Sequence, residues 1–313
     1  MTPRQRRMVD GRCPSTLPSP TPPWRGAPAR SAGLRAGASS VLLVAAGIAA
    51  YANSLTGPFL FDDVLWIVEN PHIRRLWPLW DALAATPMPN VAVRPLVNLS
   101  LALNYAVGGL DVRGYHALNL AIHLLAGLAL FGLVRRTLRT PRLRARYETA
   151  APGLALAVAL LWLVHPLQTE SVTYVIQRAE SLMGLWYLLT LYGLVRGSTS
   201  RTPGRWYAAA VASCAAGMGT KEVMVSAPIM AWLYDRAFLS ASFREALRRR
   251  RWLYLGLAST WLILAALMMP GPRARTAGFG IDGVTPWAYA ATQCGVVLHY
   301  LRLACWPHPL LFD

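Results

Sequence analysis

The chain has 313 residues, of which 55% are hydrophobic and only 14% charged, with a formal charge of +17. A soluble domain carries about a quarter charged residues, so an ordinary water-soluble enzyme is excluded. Apolar stretches of spanning length recur, and the arginines sit in the short gaps between them. That is the charge pattern of a multi-pass membrane protein with basic loops inside, and it excludes nucleic acid as the reason for the positive charge.

Residues 1–36 are rich in Pro, Arg, Ser and Gly without apolar periodicity, and read as a disordered cytoplasmic segment. A first span follows over about 37–55. "AYA" at Ala50–Ala52 resembles a signal-peptidase site, but the arginine-rich leader and the later spans favour a retained anchor. Lys221 is the one lysine against thirty arginines, a bias that points to GC-rich coding and a bacterial source. Four cysteines, Cys13, Cys214, Cys294 and Cys305, lack CxxC or zinc-like spacing.

A polar and aromatic segment over 57–114 is too long for a simple connection and contains "GPFLFDDVLWIVENP". Asp62 and Asp63 are adjacent carboxylates among apolar residues. In one reading one of them is a general base, the other orienting an acceptor or binding a divalent cation, since neighbouring like charges raise one pKa. In the other, one of them caps a short helix over "VLWIVEN". Spacing does not choose between them. "LVNLSLALNYAVGGL" reads as a helix on, or dipping into, the membrane interface.

The second span, about 115–134, ends in the basic run "RRTLRTPRLRAR"; His116 and His123 on it read as helix-packing residues. The third, about 152–164, stops at His165–Pro166, and the fourth covers about 182–195. Between them, Glu170, Thr173 and Gln177 fall at i, i+3 and i+7, one helical face, with Arg178 and Glu180 following. A carboxylate, an arginine and a histidine there can hold a phosphate and position a sugar. The alternative is an internal Glu–Arg pair satisfying buried charge.

"GMGTKE" divides 206–238 into two short spans. Lys221 and Glu222 either pair at the top of that hairpin or supply a compact ammonium to a site. A seventh span (about 253–269), an outer loop (270–285) and an eighth span (286–305) complete an all-α polytopic bundle. "FDD", "HPLQTESV" with "QRAE", and "TKE" then share the outer face, opposite the arginine-rich loops. No Walker loop, GxGxxG, HExxH or GxSxG occurs.

"YANSLTGPFLFDDVLWIVENPHI", "RPLVNLSLALNYAVGG", "GYHALNLAIHLLAGLALF", "HPLQTESVTYVIQRAES", "GMGTKEVMVSAP" and "HYLRLACWPHPLLFD" together resemble the membrane portion of the transmembrane-and-tetratricopeptide-repeat O-mannosyltransferases and their bacterial relatives. The likeness covers about 40–313 in order. It implies a GT-C-like transmembrane domain over 37–313 that moves a mannose-like sugar from a polyprenyl-phosphate carrier to a Ser or Thr hydroxyl of protein, at the periplasmic face of a bacterial inner membrane. In that class an acidic motif in the first outer loop lies at the catalytic centre, the place "FDD" occupies. The resemblance implies single displacement with inversion, Asp63 or Asp62 taking the hydroxyl proton; it does not separate the two, and Asp63, which begins the following helical run, is the preferred base. Some of Arg94, His165, Arg178 and Lys221 would meet the leaving phosphate, with Glu170, Gln177, Glu180 and Glu222 around the sugar. Metal dependence stays open. Relatives of this type add further spans and a helical-repeat array, and no 34-residue repeat is present here, so the chain reads as a fragment. A non-catalytic membrane anchor for such repeats is the rival reading, with a transporter behind it.

Overall fold

The computed structural model describes residues 29–84, 94–269 and 285–310, which are helical with no strand among them. Helix α1 (Ala29–Tyr51) carries the first apolar run and starts inside the segment that composition reads as disordered. The long first loop folds as short turns around Val64–Val68 and Pro71–Arg74, then α2 (Leu79–Ala84) and α3 (Pro95–Gly108). Pro95 starts α3, where its missing N–H costs nothing. Gly109 ends it at φ +59°, a left-handed conformation open to glycine, its N–H bonded to Tyr105 O at 2.8 Å.

Asp111 caps the next helix, accepting from Arg113 N at 3.1 Å. This helix, α4 (Val112–Thr137), is the hub: it packs on α1, on α6 (Ala151–Leu163) and on α8 (Arg178–Thr199). The one-turn α5 (Arg144–Tyr147) lies between α4 and α6, and α7 (Thr169–Thr173) between α6 and α8. Helix α8 packs on α9 (Pro203–Met218), which contacts α12 (Arg251–Met268). Helices α10 (Ala227–Phe238) and α11 (Phe243–Arg249) fill the connection, and α13 (Pro286–Cys305) is the last. Close packing rests on small residues. Ala151, Ala155 and Ala159 form a fully buried stripe on α6, and a Cβ at Gly193 of α8 would lie 2.9 Å from Ala210 Cβ and from Trp206 O of α9. Without a hydrophobic drive between helices in lipid, such backbone approach supplies the dispersion contacts that hold them.

Helices occur along the stretches anticipated as spans, but fewer than eight of them have the length and apolarity to cross a bilayer. Among the described residues three are long and apolar enough to cross a bilayer unaided (Gly37–Thr56, Val112–Thr137 and Arg251–Met268), and Ala151–Leu163 with Pro166–Thr173 adds a fourth if taken as one span bent by 54°. The rest are shorter or less apolar; α9 and α10, anticipated as two short spans, have 16 and 12 residues and are not among the candidate spans. The end of α13 departs from expectation. His165 Nε2 is 3.2 Å from Ala304 O, which puts the C-terminal turn of α13 beside the layer of "HPLQ" rather than at the arginine-rich end.

At the arginine-rich end one acid is buried. Asp235 receives Arg250 Nη1 at 2.8 Å on both oxygens, Ser240 Oγ at 2.7 Å and Tyr254 OH at 2.6 Å. Every lone pair facing inward has a donor, which makes the burial of this ion pair tolerable and ties α10 to α12. Removing one partner leaves the other charge unpaired, so Asp235→Ala is expected to cost about 3–5 kcal/mol. It should sharply reduce the yield of monodisperse protein in detergent. Wild-type thermal stability in that variant would show the pair to be dispensable.

Candidate active site

At the opposite end of the bundle the first loop docks on the turn between α7 and α8. Phe61 adopts φ +44°, a left-handed conformation that a bulky residue rarely takes. With the chain turned there, the two aspartates diverge. Asp62 is exposed, and its carboxylate accepts no hydrogen bond among the described residues; its backbone N–H donates to the Tyr174 hydroxyl at 2.9 Å. Asp63 is 1% exposed. Its Oδ1 accepts from Ile176 N at 2.8 Å and its Oδ2 from Leu60 N at 3.2 Å.

Asp63 therefore acts as a cap, though not of its own helix. It makes no capping bond to the turn it precedes and instead satisfies an N–H of the turn Val175–Gln177, which leads into α8. Burial raises the Asp63 carboxyl above its ordinary range, opposed by the N–H groups of Leu60, Ile176 and Val175 and by the charge of His116. Asp63 is thus committed to backbone N–H groups and is not displayed beside the exposed Asp62. Among the described residues, no three His, Cys, Asp or Glu side chains converge as a ligand set.

Glu170, Thr173 and Gln177 do not share a helical face, because α7 ends at Thr173 and Tyr174 is extended at ψ 115°. Glu170 and Gln177 meet nonetheless, Gln177 Nε2 donating to Oε1 at 3.0 Å. Lys221 pairs with Glu180, not with its neighbour Glu222, which is exposed. Arg94 lies beside the same corner, since Leu96 N donates to Gly219 O at 3.1 Å; its buried Nε has no partner among the described residues. His165 accepts from Leu167 N at 3.2 Å through Nδ1, so it caps the turn that Pro166 opens.

Arg178 meets neither expectation. It is 0% exposed, out of reach of a phosphate in this arrangement, and it pairs with neither Glu170 nor Glu180. Its Nε donates to Asn119 Oδ1 at 2.6 Å, one Nη to Ser100 Oγ at 3.2 Å and the other to Tyr115 O at 3.0 Å. Asn119 Nδ2 in turn reaches Val172 O at 3.3 Å and Val175 O at 3.2 Å. The guanidinium thus joins α3, α4 and α8, with Asn119 extending the join to the α7–α8 turn. Sequence reading passed over Asn119 and Ser100. The available signal was Asn119 between His116 and His123 on one face of an apolar helix, since polar groups inside spans are costly and seldom idle. His116 and His123 themselves pack as expected, each bonding a carbonyl where a helical segment stops: Gly57 O at 3.1 Å and Leu163 O at 2.8 Å.

Truncating Arg178 to Ala would strand the buried Asn119 Oδ1, worth about 1–3 kcal/mol when unpaired, and would cut the bonds that tie Ser100 Oγ and the Tyr115 carbonyl to α8. Arg178→Ala is expected to fail to accumulate as folded protein, and Arg178→Lys to recover only in part, because an ammonium lacks the planar fork. Normal accumulation of Arg178→Ala in membranes would contradict the structural assignment.

Comparison with known proteins places this geometry in context. The chain is similar to the human protein O-mannosyl-transferase TMTC1, 34% identical over 169 residues, which is 51% of this chain and 18% of the relative. It is 30% identical to mouse TMTC2 over 204 residues, 61% of this chain and 23% of the relative. The Drosophila melanogaster protein O-mannosyl-transferase Tmtc2 is 29% identical over 283 residues, 84% of this chain and 29% of the relative. The chain thus spans less than a third of the length of each of these curated relatives. No family model and no solved structure matches it.

Proposed function

From a chain related to the TMTC protein O-mannosyl-transferases through its membrane helices, we propose a membrane glycosyltransferase that moves mannose from a polyprenyl-phosphate carrier to Ser or Thr hydroxyls of protein. The observation that carries the reading is the division of the aspartate pair. Asp62 is exposed with a free carboxylate, while its own backbone is pinned to Tyr174 and its neighbour Asp63 anchors the loop. A base has to be both accessible and fixed, and this arrangement supplies the two properties from adjacent residues. The strained Phe61 beside it fits the tendency of backbone strain to gather at functional sites.

The acceptor hydroxyl gives its proton to an oxygen of Asp62 as its own oxygen bonds to the anomeric carbon. The bond from that carbon to the carrier phosphate breaks, and the electron pair leaves with the phosphate, inverting the anomeric centre. Lys221, oriented by Glu180, and Arg94 at the same corner are the cations placed to meet that charge. Glu170, held by Gln177, is an exposed acceptor for sugar hydroxyls. Glu222 is exposed beside the Lys221 corner. Arg178 and His165 take positioning roles. The site faces the outer side, away from the arginine-rich end, in a bacterial inner membrane. The non-catalytic anchor remains the second reading, favoured by the commitment of Arg178, His165 and Asp63 to purely structural bonds.

Asp62→Asn keeps size but cannot take a proton, so transfer from labelled polyprenyl-phosphate mannose to a Ser/Thr-rich acceptor should fall roughly 10²–10⁴-fold with accumulation unchanged. Asp63→Asn turns an amide N–H toward Leu60 N or Ile176 N and is expected to reduce folded protein instead. A non-catalytic anchor predicts no transfer by the wild type, and a measurable wild-type rate left unchanged by Asp62→Asn would sink the assignment of Asp62 as base.

A further inference from the structure

The arginine-rich end contains a feature that sugar transfer does not use. Between α1, α4 and α8 runs a groove of about 630 Å³. Its walls are mostly apolar, among them Leu125, Leu128, Leu185 and Leu189, with Gly37 on the α1 side. Along α4 it extends from Leu125 to Arg135, about 15 Å at the helical rise per residue. Arg135 also lines a second, adjoining pocket of about 210 Å³ with Arg136, Arg139, Val195 and Thr199. An apolar slot and a cationic cup therefore share one residue.

The cup has no internal counter-charge. Arg136, Arg139 and Arg196 all act on Arg135 with like charge, and among the described residues none of the four forms an ion pair. Aromatic rings support three of them from the side. Arg135 lies over Phe131 at 5.2 Å, Arg136 over Tyr192 at 5.5 Å and Arg196 over Trp206 at 5.1 Å. Elsewhere at this end the buried cation Arg250 is neutralised by Asp235, and the arginine-lined pocket on α11 includes an acid, Glu245, paired with Arg249. Converging cations repel unless an anion joins them, and guanidinium forks match phosphate oxygens.

We propose that groove and cup together bind an anionic phospholipid, one acyl chain lying between α1, α4 and α8 and the phosphate held by Arg135, Arg136 and Arg139. A free phosphate would leave the apolar walls unexplained, and a neutral lipid would leave the arginines unpaired. The helix ends at this face are those that the positive-inside pattern puts at the anionic cytoplasmic leaflet. The site lies at the other end of the bundle from Asp62, so it does not depend on the proposed reaction.

The test uses the purified chain in mixed lipid–detergent micelles, with lipid retention read by native mass spectrometry. The probes are dioleoylphosphatidylglycerol, dioleoylphosphatidylcholine, and glycerol 3-phosphate as a headgroup without chains. The wild type should retain the anionic lipid over the zwitterionic one, and glycerol 3-phosphate should not displace it. R135Q/R139Q should weaken retention roughly 10- to 30-fold, taking about 1 kcal/mol per basic residue at the surface. R244Q/R248Q, which removes the same charge from α11, should leave it unchanged. Gly37→Leu fills the groove from α1 at a position where an added Cβ meets nothing within 4 Å; it should weaken retention with every arginine in place. The single change R139Q, at an exposed residue, reports on the cup if the double variant does not fold. Equal loss in R244Q/R248Q, displacement by glycerol 3-phosphate, or an unaffected Gly37→Leu would each overturn the proposal.

Discussion

A cation buried in a membrane bundle without a direct ion pair constrains everything around it, and Arg178, which forms none among the described residues, is such a cation. Moving an ion out of water costs several kcal/mol even after relaxation, so each N–H it presents must meet a dipole. Here the dipoles come from Ser100 on α3, from Tyr115 and Asn119 on α4, and through Asn119 from the carbonyls of the α7–α8 turn. Because these groups belong to three separate stretches of chain, the guanidinium is satisfied only when all of them are in register with α8. The first loop, the hub helix and the start of α8 are thereby fixed to one another.

The candidate chemistry depends on that frame. Once the α7–α8 turn is held by Asn119, its free N–H groups are available to Asp63, and the Tyr174 hydroxyl is available to the backbone of Asp62. The loop docks through the buried carboxylate and displays the exposed one. Two residues of the same type thus divide anchoring from presentation. The left-handed Phe61 is the local strain that accompanies the turn between them. At the other end the logic of charge is the same with a different outcome. Asp235 neutralises Arg250 inside the protein, whereas the arginines at the mouth of the α1–α4–α8 groove are left for an anion from outside.

Much of the architecture was legible in the sequence because apolar length and arginine placement are local, additive signals. The positions of the main helices, the break at His165–Pro166, the hairpin at "GMGTKE" and the packing roles of His116 and His123 follow from such signals. Which end of the bundle each polar motif occupies follows too, since alternate connections between antiparallel helices share an end. The placement of the α13 C-terminal turn beside His165 did not, because composition records that a helix is present and not where it lies.

Partnership among the polar residues was decided by the tertiary structure alone. Sequence offered Arg178 the choice of a phosphate or a glutamate, and the fold gave it three neutral acceptors. It offered Lys221 its neighbour Glu222, and the fold gave it Glu180, forty-one positions away. It leaned to Asp63 over Asp62 as the base, and the docking of the loop on a turn 113 residues distant from Asp63 instead buried Asp63 and left Asp62 exposed. The physical reason is common to all three. Hydropathy and loop charge are summed along the chain, so the sequence by itself determined a helical membrane bundle with its acidic motifs at one end and its arginines at the other. A hydrogen bond is directional and acts over about 3 Å, so which side chains meet depends on how the helices pack.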